Sequence, residues 1–363
     1  MRVTVQQQNL KKAIHLVERI VSRNISLPIL NNILLKTENG RLRVIATNLE
    51  IGITCTIGAK IDEQGEIAVP GRIIADLLNT TPEGSVLLTT KNNTLHIAAD
   101  LYKTNILGSD PKDYPTIPRI KTPAIAAIPA AMLRSVLASV VDSIATSEAR
   151  PELSGLSVQF TEQATIFAAT DSFRLAERKV QGGNKVTQSV IIPRSTITEL
   201  IRLSSDQEAV FEIKVADNQI ALVSEDVEIV SRLIDGTYPD YAKVIPERVV
   251  SKVLVSKIDL EKSIRLAGLF SSGISDIKLQ CEESGMTISS KNSEKGDVQS
   301  KTEAILKNEP FELALNFNYI LDGLKIIPTE KIIIEFTGQG SPLILKPDNE
   351  SVQLLYLIMP LRN

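Results

Sequence analysis

Histidine occurs only at positions 15 and 96, cysteine only at 55 and 281, and tryptophan nowhere in the 363 residues. Structural zinc wants several Cys and His at short spacing, and a nucleophile–base–orienter triad wants a histidine beside both partners. With Cys55 and Cys281 226 positions apart, both chemistries lack their parts, and no catalytic or metal-binding residue is assigned. The glycine-rich string Gln181-Gly182-Gly183-Asn184-Lys185 lacks the phosphate-loop spacing and its following Ser or Thr. It reads as a connection between strands. An enzyme is therefore the least compatible class, and no cofactor is expected.

What the chain offers instead is cations in a pattern. Its net charge is −3, from 40 basic and 43 acidic residues, so global attraction to phosphate is not expected. Near the N-terminus, however, Lys11, Lys12, His15, Arg19 and Arg23 interleave with Leu10, Ile14, Val17 and Val21. Arg134 holds the matching place further on, and Lys262 with Arg265 further still; Arg72, Arg194, Arg202 and Lys325 form a second such set. Glu18, Asp142 and Glu261 interrupt it. These residues read either as solvated helix faces or as a phosphate-facing surface. In the second case contact is with the nucleic-acid backbone, indifferent to base sequence and sensitive to salt. Eight Phe and six Tyr are too few for the stacking platforms that hold single strands.

The elements that must position these residues come in a threefold repeat. Val5, Leu10, Ile14 and Val17 recur 123 positions later as Ile128, Leu133, Leu137 and Val140, and a further 127 later as Val255, Leu260, Ile264 and Ala267. After an extended start, apolar residues at i, i+4 and i+7 mark a helix with one buried stripe, continued by Val21 and Ile144. Ile33 and Leu35 map onto Leu156 and Val158, then Ile277 and Leu279, while Ala46-Thr47-Asn48 maps onto Ala169-Thr170-Asp171. These are hairpin strands, the first turning at Asn39-Gly40. The alternation of Ile51, Ile53, Cys55 and Ile57 with Gly52, Thr54 and Thr56 predicts a half-buried strand. A second helix per unit follows: Pro70, Ile74, Asp76, Leu77 becomes Pro193, Ile197, Glu199, Leu200 and then Asn316, Ile320, Asp322, Gly323. The prolines suit a first helical position, where no amide hydrogen bond is lost.

The expected fold is thus α+β: three homologous domains over 1–120, 121–248 and 249–363, each with two helices on antiparallel sheets. Joints carrying proline at Pro118 to Pro123 and Pro246 to Lys252 separate them. With 43% apolar and 23% charged residues, the composition is that of a soluble globular chain. The longest apolar candidate, Ala124 to Leu133, contains Pro129 and is far short of the 18 or so residues of a membrane span. The opening MRVTVQQQ has no apolar signal segment. Two lone cysteines suit a reducing compartment, so a cytoplasmic protein with no membrane partner is expected.

The C-terminus is unusually apolar, with Leu354, Leu355, Leu357, Ile358, Met359 and Leu361 in its last ten residues. A final core strand accounts for Leu354 to Ile358. Pro360 ends any ladder, which leaves Met359-Pro360-Leu361 as candidate wall of a binding groove.

Together with the repeat, four strings carry a resemblance: Leu27-Pro28-Ile29-Leu30, the segment Ala169-Thr170-Asp171-Ser172-Phe173-Arg174-Leu175, the segment Asp235-Gly236-Thr237-Tyr238-Pro239-Asp240-Tyr241, and the ending Met359-Pro360-Leu361-Arg362. Over essentially its whole length the chain resembles the bacterial sliding clamp, the β subunit of DNA polymerase III. That resemblance implies a non-catalytic processivity factor: a head-to-tail homodimer whose three DNA-clamp domains per chain form a six-domain ring, with twelve helices lining the hole around duplex DNA. Lys11, Lys12, Arg19, Arg23, Arg72, Arg134, Arg194, Arg202, Lys262, Arg265 and Lys325 then face DNA. It also implies a pocket for short peptides of the polymerase III catalytic subunit, the clamp loader, and other polymerases and repair proteins. The matching positions are Leu153, Thr170, Ser172, Phe173, Arg174, Leu175, Pro239, Lys243, Val244, Leu357, Met359, Pro360, Leu361 and Arg362. A monomeric scaffold that binds peptides and no DNA is the competing reading.

Overall fold

The computed structural model describes residues 1–21, 26–147, 149–184, 186–204 and 208–361. Among them are six α-helices: α1 (Gln7–Val17), α2 (Gly71–Thr80), α3 (Ala130–Val140), α4 (Arg194–Leu203), α5 (Lys257–Gly268) and α6 (Phe317–Ile326). Each follows directly on a strand, so the backbone turns from extended to helical with no loop between. The apolar stripe explains the docking of α1: Leu10, Ile14 and Val17 are 0% exposed, and each such side chain removed from water contributes about 1.5–3 kcal/mol.

Two local expectations need correction. Pro70 and Pro193 are not the first helical residues. They are the last residues of the strands Glu66–Pro70 and Gln188–Pro193, paired with Asn32 and Gly155, where a residue without an N–H closes the ladder. The first helix of each of the first two repeats is also shorter than its apolar stripe. α1 and α3 tighten into 3-10 turns at Glu18–Ile20 and Val141–Ser143, and the tighter turn buries Ile20 rather than Val21.

By compactness the chain divides into two units, residues 1–132 with 202–233, and residues 133–201 with 234–363. The first contains a five-stranded sheet in the order Lys60–Glu63, Arg2–Gln6, Ser85–Lys91, Thr94–Ala99, Tyr102–Leu107. Its larger sheet has eight strands, in which Ile51–Gly58 pairs on one side with Arg41–Thr47 and on the other with Val227–Arg232. The second unit has a nine-stranded sheet, where Arg174–Gln181 lies between Ala164–Thr170 and Leu354–Ile358, and a four-stranded sheet edged by Gly296–Thr302 and Phe311–Asn316. All these pairings are antiparallel. The large sheets do not stop at residue 120 or 248: late strands of one repeat complete the sheet of the repeat before it.

The repeat extends to individual hydrogen bonds. In the loop after Arg41–Thr47, Thr47 Oγ1 donates to Ile51 O (2.9 Å), Leu49 N donates to Thr47 Oγ1 (3.0 Å) and Ile51 N to Asn48 Oδ1 (2.8 Å). At the same offset, Thr170 Oγ1 donates to Arg174 O (2.7 Å), Ser172 N to Thr170 Oγ1 (3.1 Å) and Arg174 N to Asp171 Oδ1 (3.0 Å). Leu49 and Ser172 share a φ of 77°, a left-handed conformation that costs a non-glycine residue energy unless the loop imposes it. Asn39 and Gly40, at φ 50° and 74°, make the expected tight hairpin turn.

The strand Ile51–Gly58 is not half-buried as its alternation predicts. Gly52 and Thr54 are buried along with Ile51, Ile53 and Cys55. The second face is covered by the segment after Tyr114: a Cβ added to Gly52 would lie 2.6 Å from Ile117 Cδ1.

Candidate functional site

In the second unit a cavity of about 220 Å³ opens at the end of Leu354–Ile358. Ligand pockets for whole small molecules run to about 300–1,000 Å³, so this one suits a few side chains of a larger partner. Its base is the apolar cluster of Ala168, Leu175, Tyr241 and Leu357, with Met359 packed against it. Ladder pairing of Leu175 with Leu357 fixes the floor. The rim comprises Leu153 from the turn Pro151–Ser154, Thr170 and Ser172 from the loop just described, Arg174, Pro239 and Val244.

Of the residues expected here, Leu153, Thr170, Ser172, Arg174, Leu175, Pro239, Val244, Leu357 and Met359 line this cavity. Four described ones lie elsewhere. Phe173 is 60% exposed and stacks on Tyr319 at 6.4 Å between ring centroids. Lys243 is exposed and pairs with Asp240 at 3.0 Å. Pro360 and Leu361 line a separate groove with the four-stranded sheet, Leu361 N donating to Ala314 O at 2.8 Å. Arg362 lies outside the described residues. Sequence reasoning missed Arg150, Asp240 and Tyr241 as lining residues; the signal for the last two was present, since both close the quoted string ending at Tyr241.

Arg174 is held rather than free. Its Nε donates to Asp171 Oδ2 at 2.9 Å, its Nη1 donates to Asp322, and its guanidinium lies 4.7 Å from the Tyr319 ring centroid. Burial works against its charge, but Tyr356, Asp322 and Asp171 outweigh burial and raise its pKa above the ordinary value. These contacts make Arg174 part of a structural salt bridge while it also lines the pocket. Burial, reinforced by the neighbouring Glu177, likewise pushes the Tyr241 hydroxyl well above the usual range. Burial pushes Tyr238 up to about 12, while its hydroxyl accepts from Thr170 N at 3.0 Å. The pocket therefore stays neutral and apolar at its base across the physiological range.

The cations divide by environment. Among the described residues, Lys11, Arg19, Arg72 and Arg134 have no ion-pair partner; Arg19, Arg72 and Arg134 are exposed and Lys11 is half-buried. Arg19 belongs to the 3-10 turn after α1. Lys12 lines a recess with Arg41 and Asp226. Lys262 and Arg265 sit exposed on α5, within 3.9 Å of Asp259 and 2.7 Å of Glu261. Lys325 pairs with Asp142 at 2.9 Å. Arg194 and Arg202 instead hold the fold together: Arg194 donates to Ile144 O at 2.8 Å, and Arg202 caps the end of α1 through His15 O (3.1 Å) and Leu16 O, where a cation suits the helix dipole. Arg23 lies outside the described residues.

The thiols and imidazoles have structural settings. Burial raises both Cys55 and Cys281 to about 11, which suppresses the nucleophilic thiolate. His15 bridges Glu18 and Asn79 at 2.8 Å each, and His96 meets Asn105. Among the described residues no three His, Cys, Asp or Glu are grouped to hold a metal ion, and no helix is long and apolar enough to cross a membrane.

Comparison with known proteins agrees with this arrangement throughout the chain. Profiles of the DNA polymerase III β subunit match in order: the N-terminal domain over residues 1–118, the central domain over 127–240 and the C-terminal domain over 242–362. The β sliding clamp of Staphylococcus aureus is 30% identical over 358 residues, covering 95% of this chain and 94% of that protein. Crystal structures of the DNA polymerase sliding clamp of Bacillus subtilis (26% identical, TM-score 0.93, covering 100% of this chain and 99% of that one) and of the DNA polymerase III β subunit of Thermotoga maritima (27%, TM-score 0.92, 100% and 99%) superpose over its length. A threefold repeat matched domain by domain in the family's order, with only residues 119–126 and 241 between the matches, places this chain in the DNA polymerase III β-subunit family.

Proposed function

We propose that the chain is a DNA sliding clamp: a non-catalytic ring subunit that encircles duplex DNA and tethers the replicative polymerase through the pocket at its C-terminal strand. The observation that carries the reading is the set of cations on α1, α2 and α3 that have no ion-pair partner among the described residues, in a protein of net charge −3. Cations near phosphates release counterions and bind weakly without reading sequence, as a sliding ring requires. Retention then rests on topology rather than contact strength.

Ring closure calls for a second copy. The edge strand Tyr102–Leu107 is preceded by Leu101 and ends in Leu107, 83% and 77% exposed, and the four-stranded sheet ends on Gly296–Thr302. Unpaired edges of this kind invite intermolecular pairing; a head-to-tail dimer uses both, and a heterologous contact closes when its rotation is right. The apolar cavity, with a flexible Met359 in its wall, suits short peptides that repack it: the polymerase III catalytic subunit first, with clamp loader, other polymerases and repair proteins competing for it.

The test is mass and retention. Light scattering is expected to give about twice 39.7 kDa, and protein loaded on circular DNA is expected to stay until the circle is cut. Equal loss from circles and linear DNA favours the monomeric scaffold. Removing the residues after Ile358 is expected to abolish peptide binding and leave the dimer mass unchanged; undiminished affinity would refute the pocket assignment.

A further inference from the structure

The peptide pocket has a repeat-related counterpart in the first unit. Leu30, Thr47, Tyr114 and Val230 correspond to Leu153, Thr170, Tyr241 and Leu357. Leu30 and Leu153 sit in equivalent proline-led turns, Pro28–Asn31 and Pro151–Ser154, and both are buried. Gly52 pairs with Val230 as Leu175 pairs with Leu357. The loops above them share their hydrogen bonds and the φ of 77°. The buried leucine turn, the loop, the tyrosine and the paired strands of the cavity, which lies where the second and third repeats meet (the second junction), thus have counterparts where the first and second repeats meet (the first junction).

The lining differs at several positions, Leu49, Ile51, Lys112 and Arg232 standing where the pocket has Ser172, Arg174, Pro239 and Met359, but two differences decide whether the cavity is open. Gly52 stands where the pocket has Leu175, and Ile117, three residues after Tyr114, stands where it has Val244, three after Tyr241. Val244 is 48% exposed on the pocket wall. Ile117 is turned inward: it packs against the cluster of Leu34, Ile45, Ala68 and Tyr114, and three of its side-chain atoms lie within 2.9 Å of where a Cβ on Gly52 would be. The segment that carries it is tied down by Tyr114, whose hydroxyl donates to Asn32 O at 3.1 Å. A tethered side chain competes with free peptide at an effective concentration on the order of millimolar.

We propose that the first junction is a closed copy of the peptide pocket, stoppered by Ile117 seated on Gly52, and that this stopper limits each chain to one bound peptide. The proposal rests on the reading of the open cavity as a peptide site. Its two determinants are a side chain removed from the floor at Gly52, which makes room, and the Ile117 side chain from the segment after Tyr114, which fills that room.

Isothermal titration of the full-length protein with a short acetylated peptide ending in two leucines, apolar side chains that suit the cavity base, tests it. The wild type is expected to bind one peptide per chain. Ile117→Ala is expected to bind two, the second at least tenfold more weakly, and Ile117→Ala with Gly52→Leu, which restores the floor, is expected to strengthen that second event. Ile117→Val, a milder change, serves in place of Ile117→Ala if circular dichroism shows the latter unfolded, and is expected to show the same second event more weakly. A stoichiometry of one in the folded variants overturns the stopper. A wild type that binds none overturns the peptide reading instead, so the two failures are distinguishable.

Discussion

Replacing Gly323 by alanine sets helix propensity against packing. In the repeat this position is Leu77 in α2 and Leu200 in α4; α6 has glycine because Tyr356, 1% exposed, lies where the leucine side chain would go. A Cβ on Gly323 would sit 2.5 Å from Tyr356 Cδ1, 2.6 Å from Cε1 and 2.9 Å from Leu345 Cδ1. Alanine gains about 1 kcal/mol of helix propensity, whereas overpacking a filled core costs about 1–3 kcal/mol. Neither the ring nor Leu345 has free space, so the upper end applies and the net loss is about 1–2 kcal/mol. For a cooperative unit of about 150–250 residues that lowers Tm by roughly 2–8 °C. The site should respond too, because Leu354–Ile358 carries Leu357 in the pocket floor and α6 carries Asp322, which holds Arg174. Calorimetric unfolding and peptide titration of Gly323→Ala are to be compared with Gly273→Ala, whose Cβ meets nothing within 4 Å. A Gly323→Ala protein as stable as the wild type, with unchanged peptide affinity, would refute the packing argument.

Asp171→Ala removes the acceptor for Phe173 N (2.9 Å) and Arg174 N (3.0 Å) together with the ion pair to Arg174; a loss of about 1–3 kcal/mol and weaker peptide binding are expected, read by denaturant midpoint and titration. Burial alone would raise the Glu335 carboxyl, but Lys346 at 2.7 Å and Lys252 at 3.0 Å outweigh it and hold its pKa below the ordinary 4.5. The stability this contributes is therefore present above pH 4.5 and lost as pH falls through the lowered folded value, and Glu335→Gln should flatten the acid limb of a Tm-versus-pH curve. Changing Lys11, Arg19 and Arg72 together to alanine should reduce the slope of log affinity for DNA against log salt by about 0.9 for each phosphate no longer neutralised, with stability within about 0.5 kcal/mol per site; an unchanged slope removes these residues from the DNA-facing set.

The helices were legible because their stripes are local: Leu10, Ile14 and Val17 declare a buried face within one segment, and the same spacing recurs twice. The C-terminal strand was legible for a similar reason, since Pro360 marks its end. Sheet membership was not, because nothing near Ile51 announces that its neighbour is Ser231. Pro70 and Pro193 carry no mark that separates the last strand position from the first helical one. In the pocket, Leu175, Leu357 and Met359 were accessible through the resemblance, whereas the inward turn of Ile117 depends on the absence of a side chain at Gly52, which alternation alone records as an ordinary outward position.

The way late strands complete earlier sheets also sets how the chain can be cut. A fragment ending at residue 120 would keep Ile51–Gly58 but lose Val227–Arg232, baring a row of amides and the apolar Ile51, Ile53 and Cys55 beside it. Excision at the joints between repeats would thus yield sticky pieces rather than miniature proteins. Any ancestral single copy of this design must have had another strand, its own or a sister molecule's, in that place.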